Sequence, residues 1–317
     1  MAPQLEDYVL YRLNLGYTKK GLRWRLLAFD RYLKEQNADW DLLEPPFFLE
    51  LRGKINKGPQ TVNKILSAIR GLFQYFARLD IYQENPLKDI PPLPEGYFIP
   101  FVFSPVEIEQ FLEVACNRLR RSEKYFLTDL ALYMAILLMA RCGLRISEPL
   151  HLLRTHYRYD EGTIYIEKTK FKKDRLIPVP KAVMMEIENY LSVRKSLCPD
   201  DQNPYLLAGK KQKGLKDYQV RGLFHQAVKD IALNRAKQTI GDITFGSPTP
   251  HSLRHSFAIN TLKRIKEKGK SPQHALPVLA AFMGHRKYHY TAAYLKVADA
   301  KHLAGLIEFA KSQLDPI

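Results

Sequence analysis

The sequence has few cysteines and no long apolar run. Its 317 residues include three cysteines, Cys116, Cys142 and Cys198, and no two of them have C-x-x-C spacing. Neither a disulfide framework nor a cysteine zinc site is therefore expected, and the three are predicted to be small buried apolar side chains. No apolar stretch approaches the roughly 20 residues that cross a bilayer, and the first residues form no apolar signal core. We expect a soluble, cytoplasmic protein that is not embedded in a membrane.

Acidic side chains are too few to balance the basic ones. The chain has 49 Lys and Arg against 33 Asp and Glu, a formal charge of +16. Such a surplus favours a polyanionic partner, either nucleic acid or a membrane surface, and does not by itself choose between them. Residues 1–100 have 14 basic and 12 acidic side chains, which leaves 35 and 21 for residues 101–317. The surplus is therefore C-terminal.

The length and one proline-rich segment predict two domains. Four prolines fall within residues 90–100, which indicates an extended linker and neither a helix nor a central strand. We place a helical domain at 1–90, a linker at 91–103 and a second domain at 104–317, the last ending in a helix or tail.

The first domain has the apolar periodicity of helices. Leu22, Leu26, Phe29 and Leu33 fall on one helical face, and a second apolar series follows Thr61. About four helices are expected here.

The second domain begins with a helix signal and later changes to strand periodicity. Residues 104–107, Ser-Pro-Val-Glu, form a capping box with proline at the first helical position, and a helix over 126–140 should end near Gly143. Residues 163–167 and 175–179 are short and β-branched, with a basic segment between them, and predict an antiparallel hairpin. The expected fold class is mainly α with a small antiparallel β-sheet.

Three groups of residues in the second domain could carry chemistry. Arg145 follows Gly143 and precedes Ser147-Glu148, so its guanidinium near a helix start could grip an anion. A surface arginine paired with Glu148 is an equal alternative.

The second group is Pro250-His-Ser-Leu-Arg-His-Ser256. His251 and Arg254 project from one helical face, which suits proton transfer beside an anion clamp. His255 would also permit a metal pair with His251, but Ser252 stands where a zinc-protease helix requires glutamate. A structural histidine at a helix start is the alternative.

The third group is a Gly-His pair at 284–285, followed nine residues later by Tyr294. The glycine allows a tight turn that presents His285. Tyr288 and Tyr290 lie nearby, and tyrosines mostly pack in cores.

Together, G-L-R-x-S-E, a hairpin lysine, H-x-L-R-H-S and G-H with a later tyrosine resemble the tyrosine recombinase (phage integrase) family. Residues 16–25, 61–70 and 84–86 resemble the helical core-binding domain of that family, which extends the resemblance over nearly the whole chain. The resemblance implies a helical core-DNA-binding domain joined to a mixed α/β catalytic domain, arranged as a C-shaped clamp on duplex DNA.

The resemblance also implies a mechanism in which a tyrosine attacks a DNA phosphodiester to form a 3′-phosphotyrosyl bond, without metal, ATP or other cofactor. It implies Tyr294 as the nucleophile and Glu148 as the support of the first arginine. The other implied catalytic residues are Arg145 and Arg254 on the phosphate oxygens, His285 on the phosphate, His251 in proton transfer, and Lys170 on the leaving 5′-oxygen. Lys168, Lys172 and Lys173 are alternatives to Lys170. Phe171 stands where glycine is common, and Tyr288 and Tyr290 replace small residues.

The implied partner is double-stranded DNA with specific recombination sites, bound by a homotetramer or together with related recombinases, for integration, excision, transposition or dimer resolution. A C-terminal helix with an apolar stripe from Leu303 to Ala310 would pack on its own domain or on a neighbouring subunit. Three other functions remain open: a type IB topoisomerase, a catalytically silent DNA-binding accessory protein, and a zinc hydrolase built on His251, His255 and His285.

Overall fold

The computed structural model describes residues 1–17, 19–40, 43–167, 174–209, 214–285, 291–292 and 294. The chain divides into two compact units, Met1–Gly96 and Tyr97–Ile317. Across the described ranges, no helix combines the length and the apolar composition that a membrane span requires. Lys170 and the predicted C-terminal helix lie outside the described residues.

Where it is described, the first unit forms a bundle of four helices, as the apolar periodicity predicts. They are α1 Pro3–Asn14, α2 Lys19–Glu35, α3 Pro45–Lys54 and α4 Pro59–Arg78. The core is rich in aromatic rings that meet edge to face, with Phe73 5.3 Å from Phe48 and 5.7 Å from Phe76 between ring centroids. Leu26 and Phe29 of the predicted α2 stripe are fully buried in this core. Burial of one such apolar side chain contributes about 1.5–3 kcal/mol.

The described residues of the second unit form the remaining helices and two small sheets. In chain order its elements are β1 Tyr97–Ile99, α5 Pro105–Asn117, α6 Phe126–Cys142, α7 Ser147–His151, β2 Tyr157–Arg158, β3 Thr163–Ile166, β4 Arg175–Pro178, α8 Lys181–Leu197, α9 Asp217–Asp230, β5 Gln238–Ile240, β6 Ile243–Phe245, α10 Pro250–Glu267 and α11 Pro272–Met283. The almost wholly apolar α6 lies at the centre of the core, packed against α8, α9 and α10.

The start of α5 and the end of α6 are set by residues next to them in the sequence. The Ser104 hydroxyl accepts from the Glu107 amide at 3.2 Å while the Glu107 carboxylate accepts from the Ser104 amide at 2.7 Å, which completes the predicted capping box. Helix α6 ends at Gly143, whose φ of 61° is left-handed. A Cβ there would lie 2.5 Å from the Phe257 ring, so glycine is required on two grounds.

The predicted hairpin is present and gains a third strand. Strands β3 and β4 pair antiparallel, with Thr163 opposite Pro178 and Ile166 opposite Arg175. The two-residue β2 adds to the other side of β3. It was not predicted because two residues carry no periodicity.

A second sheet was missed by sequence reasoning. Strand β1 pairs parallel with β6, which pairs antiparallel with β5, so the sheets are not purely antiparallel. Strand β1 falls inside the proline-rich segment that we interpreted as linker. Pairing is possible because residues 97–99 contain no proline and form an edge strand, where the Tyr97 amide donates to the Asp242 carbonyl at 2.8 Å.

The cysteine prediction is wrong for one residue of three. Cys142 is buried and Cys198 is partly buried, but Cys116 is exposed. Cys116 lies near the end of α5, at the edge of the apolar stripe formed by Ile108, Leu112 and Ala115.

Candidate active site

The first arginine of the site is held by the turn between two helices. After α6 ends at Gly143, Arg145 precedes α7, and its Nη1 donates to Glu148 Oε1 at 2.9 Å. Glu148 Oε2 also accepts from the Arg145 amide at 2.9 Å. The Arg145 side chain keeps 20% of its surface exposed, so a ligand can reach it even though it is paired with Glu148.

Glu148 is shared with a second arginine that sequence reasoning missed. Arg175 of β4 donates from Nη1 and Nη2 to the two carboxylate oxygens at 3.1 and 2.9 Å. Burial raises the pKa of Glu148, but the hydrogen bonds and charge of Arg175, with the Arg145 amide, outweigh it and lower the pKa overall. Glu148 is therefore a buried carboxylate that stays ionised.

The third arginine, Arg254, is the fifth residue of α10 and is 1% exposed. Its Nη1 donates to the Gly143 carbonyl at 2.7 Å, and its Nη2 donates to the Met283 carbonyl. The same Nη1 lies 4.0 Å from Glu148 Oε2. Burial and the positive charge of Arg145 lower the pKa of Arg254.

The C-terminal end of α11 receives all three guanidiniums. Consecutive carbonyls accept one arginine each: Phe282 from Arg175 at 2.8 Å, Met283 from Arg254, and Gly284 from Arg145 at 3.1 Å. The last carbonyls of a helix have no partner within it and carry partial negative charge, so they suit cations. Three guanidiniums face one carboxylate, and the cluster therefore has a net positive charge that attracts an anion.

Tyr294 and the histidines lie beside this cluster. The Tyr294 hydroxyl is 2.9 Å from His255 Nδ1, and the His255 ring is in edge contact with His251 at 4.5 Å between centroids. His285 Nδ1 is 2.7 Å from the Thr291 hydroxyl, and its ring centroid is 6.0 Å from that of Tyr294.

The protonation states of these side chains follow from burial beside positive charge. The pKa of His255 falls to about 3 and that of His285 to about 4, through burial first and then neighbouring charges that include Arg254. Loss of solvation and the charges of Arg254 and Arg145 lower the pKa of His251 to about 4, although the side chain is exposed at the surface. Burial raises the pKa of Tyr294 against the opposing effect of the same two arginines. At neutral pH the three imidazoles are neutral and the phenol is protonated.

The structure thus brings together six of the seven residues named from the sequence: Arg145, Glu148, His251, Arg254, His285 and Tyr294. The seventh, Lys170, lies outside the described residues. Arg175 was not predicted as a site residue, because an arginine on a short strand is usually exposed. His255 was predicted only as a possible metal ligand, although its i+4 spacing from His251 places both on one helical face. Within the described ranges, no group of three or more His, Cys, Asp or Glu side chains is arranged to hold a metal ion.

Comparison with known sequences identifies the family. The sequence model described as the phage integrase family matches residues 102–301, which is more than half of the chain. The chain belongs to the phage integrase family. Its members are the tyrosine recombinases, which break and rejoin DNA, so the protein is a DNA strand-exchange enzyme. The predicted family and activity are confirmed, and the alternative functions receive no support.

Similar proteins extend the match over both units. The tyrosine recombinase XerA of Pyrococcus horikoshii is 28% identical over 310 residues, which cover 97% of this chain and 93% of that protein. Among solved structures, XerH recombinase bound to a palindromic difH substrate has a TM-score of 0.67 at 19% identity and covers 95% of this chain and 84% of that one. A lambda integrase tetramer bound to a Holliday junction has a TM-score of 0.64 at 18% identity, covering 90% and 76%. These similarities confirm the mainly helical fold with small sheets.

Proposed function

We propose that this protein exchanges DNA strands at specific sites through a 3′-phosphotyrosyl intermediate formed by Tyr294. The observation that carries the proposal is the arginine cluster, in which Arg145 and Arg254 are fixed on Glu148 and on helix-end carbonyls with Tyr294 beside them. A scissile phosphate carries one negative charge and its pentacoordinate transition state carries more. A preorganised positive site therefore stabilises the transition state more than the ground state.

The residues around Tyr294 have different parts in this proposal. Arg145 and Arg254 donate to the non-bridging phosphate oxygens, for which a planar guanidinium is better shaped than an ammonium. Glu148 orients Arg145, while His285 and His251 donate further hydrogen bonds or move protons near the phosphate. These roles rest on the match between the residues and the family pattern.

The leaving 5′-oxygen needs a proton, because an alkoxide is a poor leaving group. We assign this proton to Lys170, which precedes β4 in the sequence. Lys168, Lys172 and Lys173 are its competitors. All four lie outside the described residues.

We propose duplex DNA as the partner and a tetramer on two synapsed duplexes as the working assembly. The net charge of +16 supports a duplex partner. The structurally similar lambda integrase assembles as a tetramer on a Holliday junction. In this proposal the tetramer consists of four copies of this chain, or of this chain together with related recombinases.

Covalent capture tests the nucleophile and finds the target at once. A library of nicked duplexes with random sequence is incubated with the protein, and DNA that stays attached in SDS is recovered and sequenced. We expect one enriched site made of inverted half-sites, with protein linked to the 3′-phosphate. Because of the nick, the fragment that carries the released 5′-hydroxyl is short and diffuses away. It then cannot attack the phosphotyrosine, and the adduct is trapped.

Tyrosine variants provide the controls. Tyr294→Phe should form no adduct, whereas Tyr288→Phe and Tyr290→Phe should form it normally. An adduct that persists in Tyr294→Phe would contradict the assignment of the nucleophile. Capture of many unrelated sequences would contradict site specificity.

A further inference from the structure

The hydroxyl of Tyr294 has a defined partner, and this partner is His255. The Nδ1 to Oη distance is 2.9 Å, which is normal for a hydrogen bond, and the ring centroids lie 5.6 Å apart at 65°. The Tyr294 residue is 6% exposed, so little water competes for its hydroxyl. The contact joins residues 39 positions apart in the sequence.

We propose that His255 is a catalytic residue that accepts the phenolic proton when Tyr294 attacks the phosphate. The inference rests on the proposed function, in which Tyr294 is the nucleophile. It gives His255 the proton transfer that the family pattern assigned to His251.

Charge determines the direction of the hydrogen bond. The groups that act on His255 are His251, Arg254, His285 and Tyr294, and burial among them keeps its imidazole neutral at pH 7. A neutral imidazole has one nitrogen that accepts, and the protonated phenol is the stronger donor of the pair. The hydrogen therefore belongs on Nε2, and Nδ1 accepts from Tyr294.

DNA binding would strengthen His255 as a base. A base with a pKa near 3 takes a proton poorly in the DNA-free protein. A phosphate on the arginine cluster introduces negative charge beside the imidazole, and a nearby negative charge raises the pKa of a histidine. The base thus becomes effective when the substrate is in place.

Geometry favours His255 over His251. Both lie on one face of α10, but within the described residues it is His255 that accepts the hydrogen bond from the phenol. His251 is exposed and contacts the edge of the His255 ring. From there His251 can face the DNA phosphate.

In the cleavage step, one proton leaves the attacking oxygen and one proton reaches the leaving oxygen. The O–H bond of Tyr294 breaks and its proton passes to His255 Nδ1, while the phenolic oxygen forms a bond to phosphorus. The bond from phosphorus to the 5′-oxygen breaks, and that oxygen takes a proton from Lys170. On rejoining, the imidazolium returns its proton to the phenolic oxygen.

The pH dependence of single-turnover cleavage tests the role. Cleavage of the nicked substrate is measured between pH 5.5 and 9 for the full-length wild type, for His255→Asn, and for His225→Asn, a control at an exposed position of helix α9. Asparagine keeps an acceptor oxygen near the position of Nδ1 but takes up no proton. We expect cleavage by His255→Asn to fall about 10²- to 10⁴-fold at pH 7, the range for loss of a general base. Its rate should then rise about tenfold per pH unit as Tyr294 itself ionises, while DNA affinity stays within about twofold and His225→Asn matches the wild type.

A substrate with sulfur in place of the bridging 5′-oxygen separates base from acid. A thiolate leaves without a proton, so this substrate should restore cleavage by Lys170→Ala and leave His255→Asn slow. Restoration of His255→Asn, or a wild-type rate and pH profile in that variant on normal DNA, would overturn the role of His255. If the wild type forms no Tyr294 adduct, the proposed function fails and this inference fails with it.

A spectroscopic measurement covers the case in which His255→Asn does not fold. In protein with ¹⁵N-labelled histidine, Tyr294→Phe removes only the hydroxyl and should shift the Nδ1 resonance of His255. An unchanged Nδ1 resonance would show that the hydrogen bond is absent and would overturn the proposal.

Discussion

One buried carboxylate organises the residues that face the substrate. Removing Glu148 and its arginines from water costs several kcal/mol for each ion, and only dense hydrogen bonding offsets such a cost. Glu148 accepts from Arg145 and Arg175, and the arginines also reach backbone carbonyls. The guanidiniums are therefore held in position before DNA arrives, and little energy is spent on ordering them during catalysis.

Arg175 should act on cleavage by positioning Glu148. In Arg175→Lys the charge remains, but the donors of an ammonium all lie on one nitrogen, whereas Arg175 reaches the two carboxylate oxygens and the Phe282 carbonyl from three separate nitrogens. We expect the free energy of unfolding to fall by about 1.5–3 kcal/mol and cleavage at saturating DNA to slow by about 10- to 100-fold. Urea unfolding and single-turnover cleavage measure the two effects.

Arg158→Lys is the matched control, because Arg158 forms an exposed ion pair with Glu161. Its free energy of unfolding should change by less than about 0.5 kcal/mol. Equal effects of the two substitutions would contradict the positioning role.

The free energy of unfolding should decrease as the pH is lowered through the range where histidine titrates. The pKa of His255 is about 3 in the folded protein against 6.5 for an ordinary histidine, so below pH 6.5 the unfolded chain binds more protons. Above pH 6.5 the titration of His255 does not change the free energy of unfolding. At pH 5 His255 alone lowers that free energy by about 2 kcal/mol. His285 and His251 act in the same direction.

Urea unfolding at pH 7 and pH 5 checks this expectation. His255→Asn should lose less stability between the two pH values than the wild type, by the share of His255. The same loss in both proteins would show that His255 is not buried as a neutral ring.

At the scale of elements, two helix ends build the site. Helices α6 and α11 both end at a glycine in the left-handed region, Gly143 at 61° and Gly284 at 60°. Each such end turns carbonyls away from the helix, and arginines of other elements donate to them. The fixed position of the guanidiniums is therefore a property of helix termini as much as of Glu148.

Gly143→Ala should disturb both the helix end and Arg254. A Cβ at this position would lie 2.5 Å from Phe257, and the Gly143 carbonyl accepts from Arg254. Gly241→Ala is the matched control, because it has a φ of 53° with nothing within 4 Å of its Cβ.

In the control, the free energy of unfolding should fall by about 1–2 kcal/mol through backbone strain alone. In Gly143→Ala it should fall by about 1–3 kcal/mol more, because the added Cβ overpacks the site. Thermal or urea unfolding measures both. Equal losses would show that Phe257 moves aside without cost.

At the scale of the molecule, the charge surplus should control affinity more than chemistry. The 49 Lys and Arg residues far outnumber the side chains that one scissile phosphate can contact, so we expect many of them to contact the DNA backbone instead. A protein that makes six to ten phosphate contacts loses roughly 10³- to 10⁵-fold in affinity between 50 and 200 mM salt. We expect this steep dependence in binding titrations, whereas the cleavage rate at saturating DNA changes little. A cleavage rate that falls in parallel with affinity even at saturating DNA would contradict the idea that most basic residues set affinity and only a few act in cleavage.

Much of the protein was determined by the sequence alone. Apolar periodicity, the Ser104 capping box and Gly143 act through neighbouring residues, and they predicted about four helices in the first unit, the start of α5 and the end of α6. The order of the motifs predicted the family. Local patterns suffice for these features because their physical causes lie within a few residues.

Tertiary structure decided the rest. Strand β1 exists because Tyr97–Ile99 meets β6, almost 150 residues away, and no local pattern marks that partner. Arg175 and His255 acquired their partners in the same way, since Glu148 and Tyr294 lie 27 and 39 residues from them. A hydrogen bond between distant residues depends on how the chain returns on itself, which sequence spacing does not express.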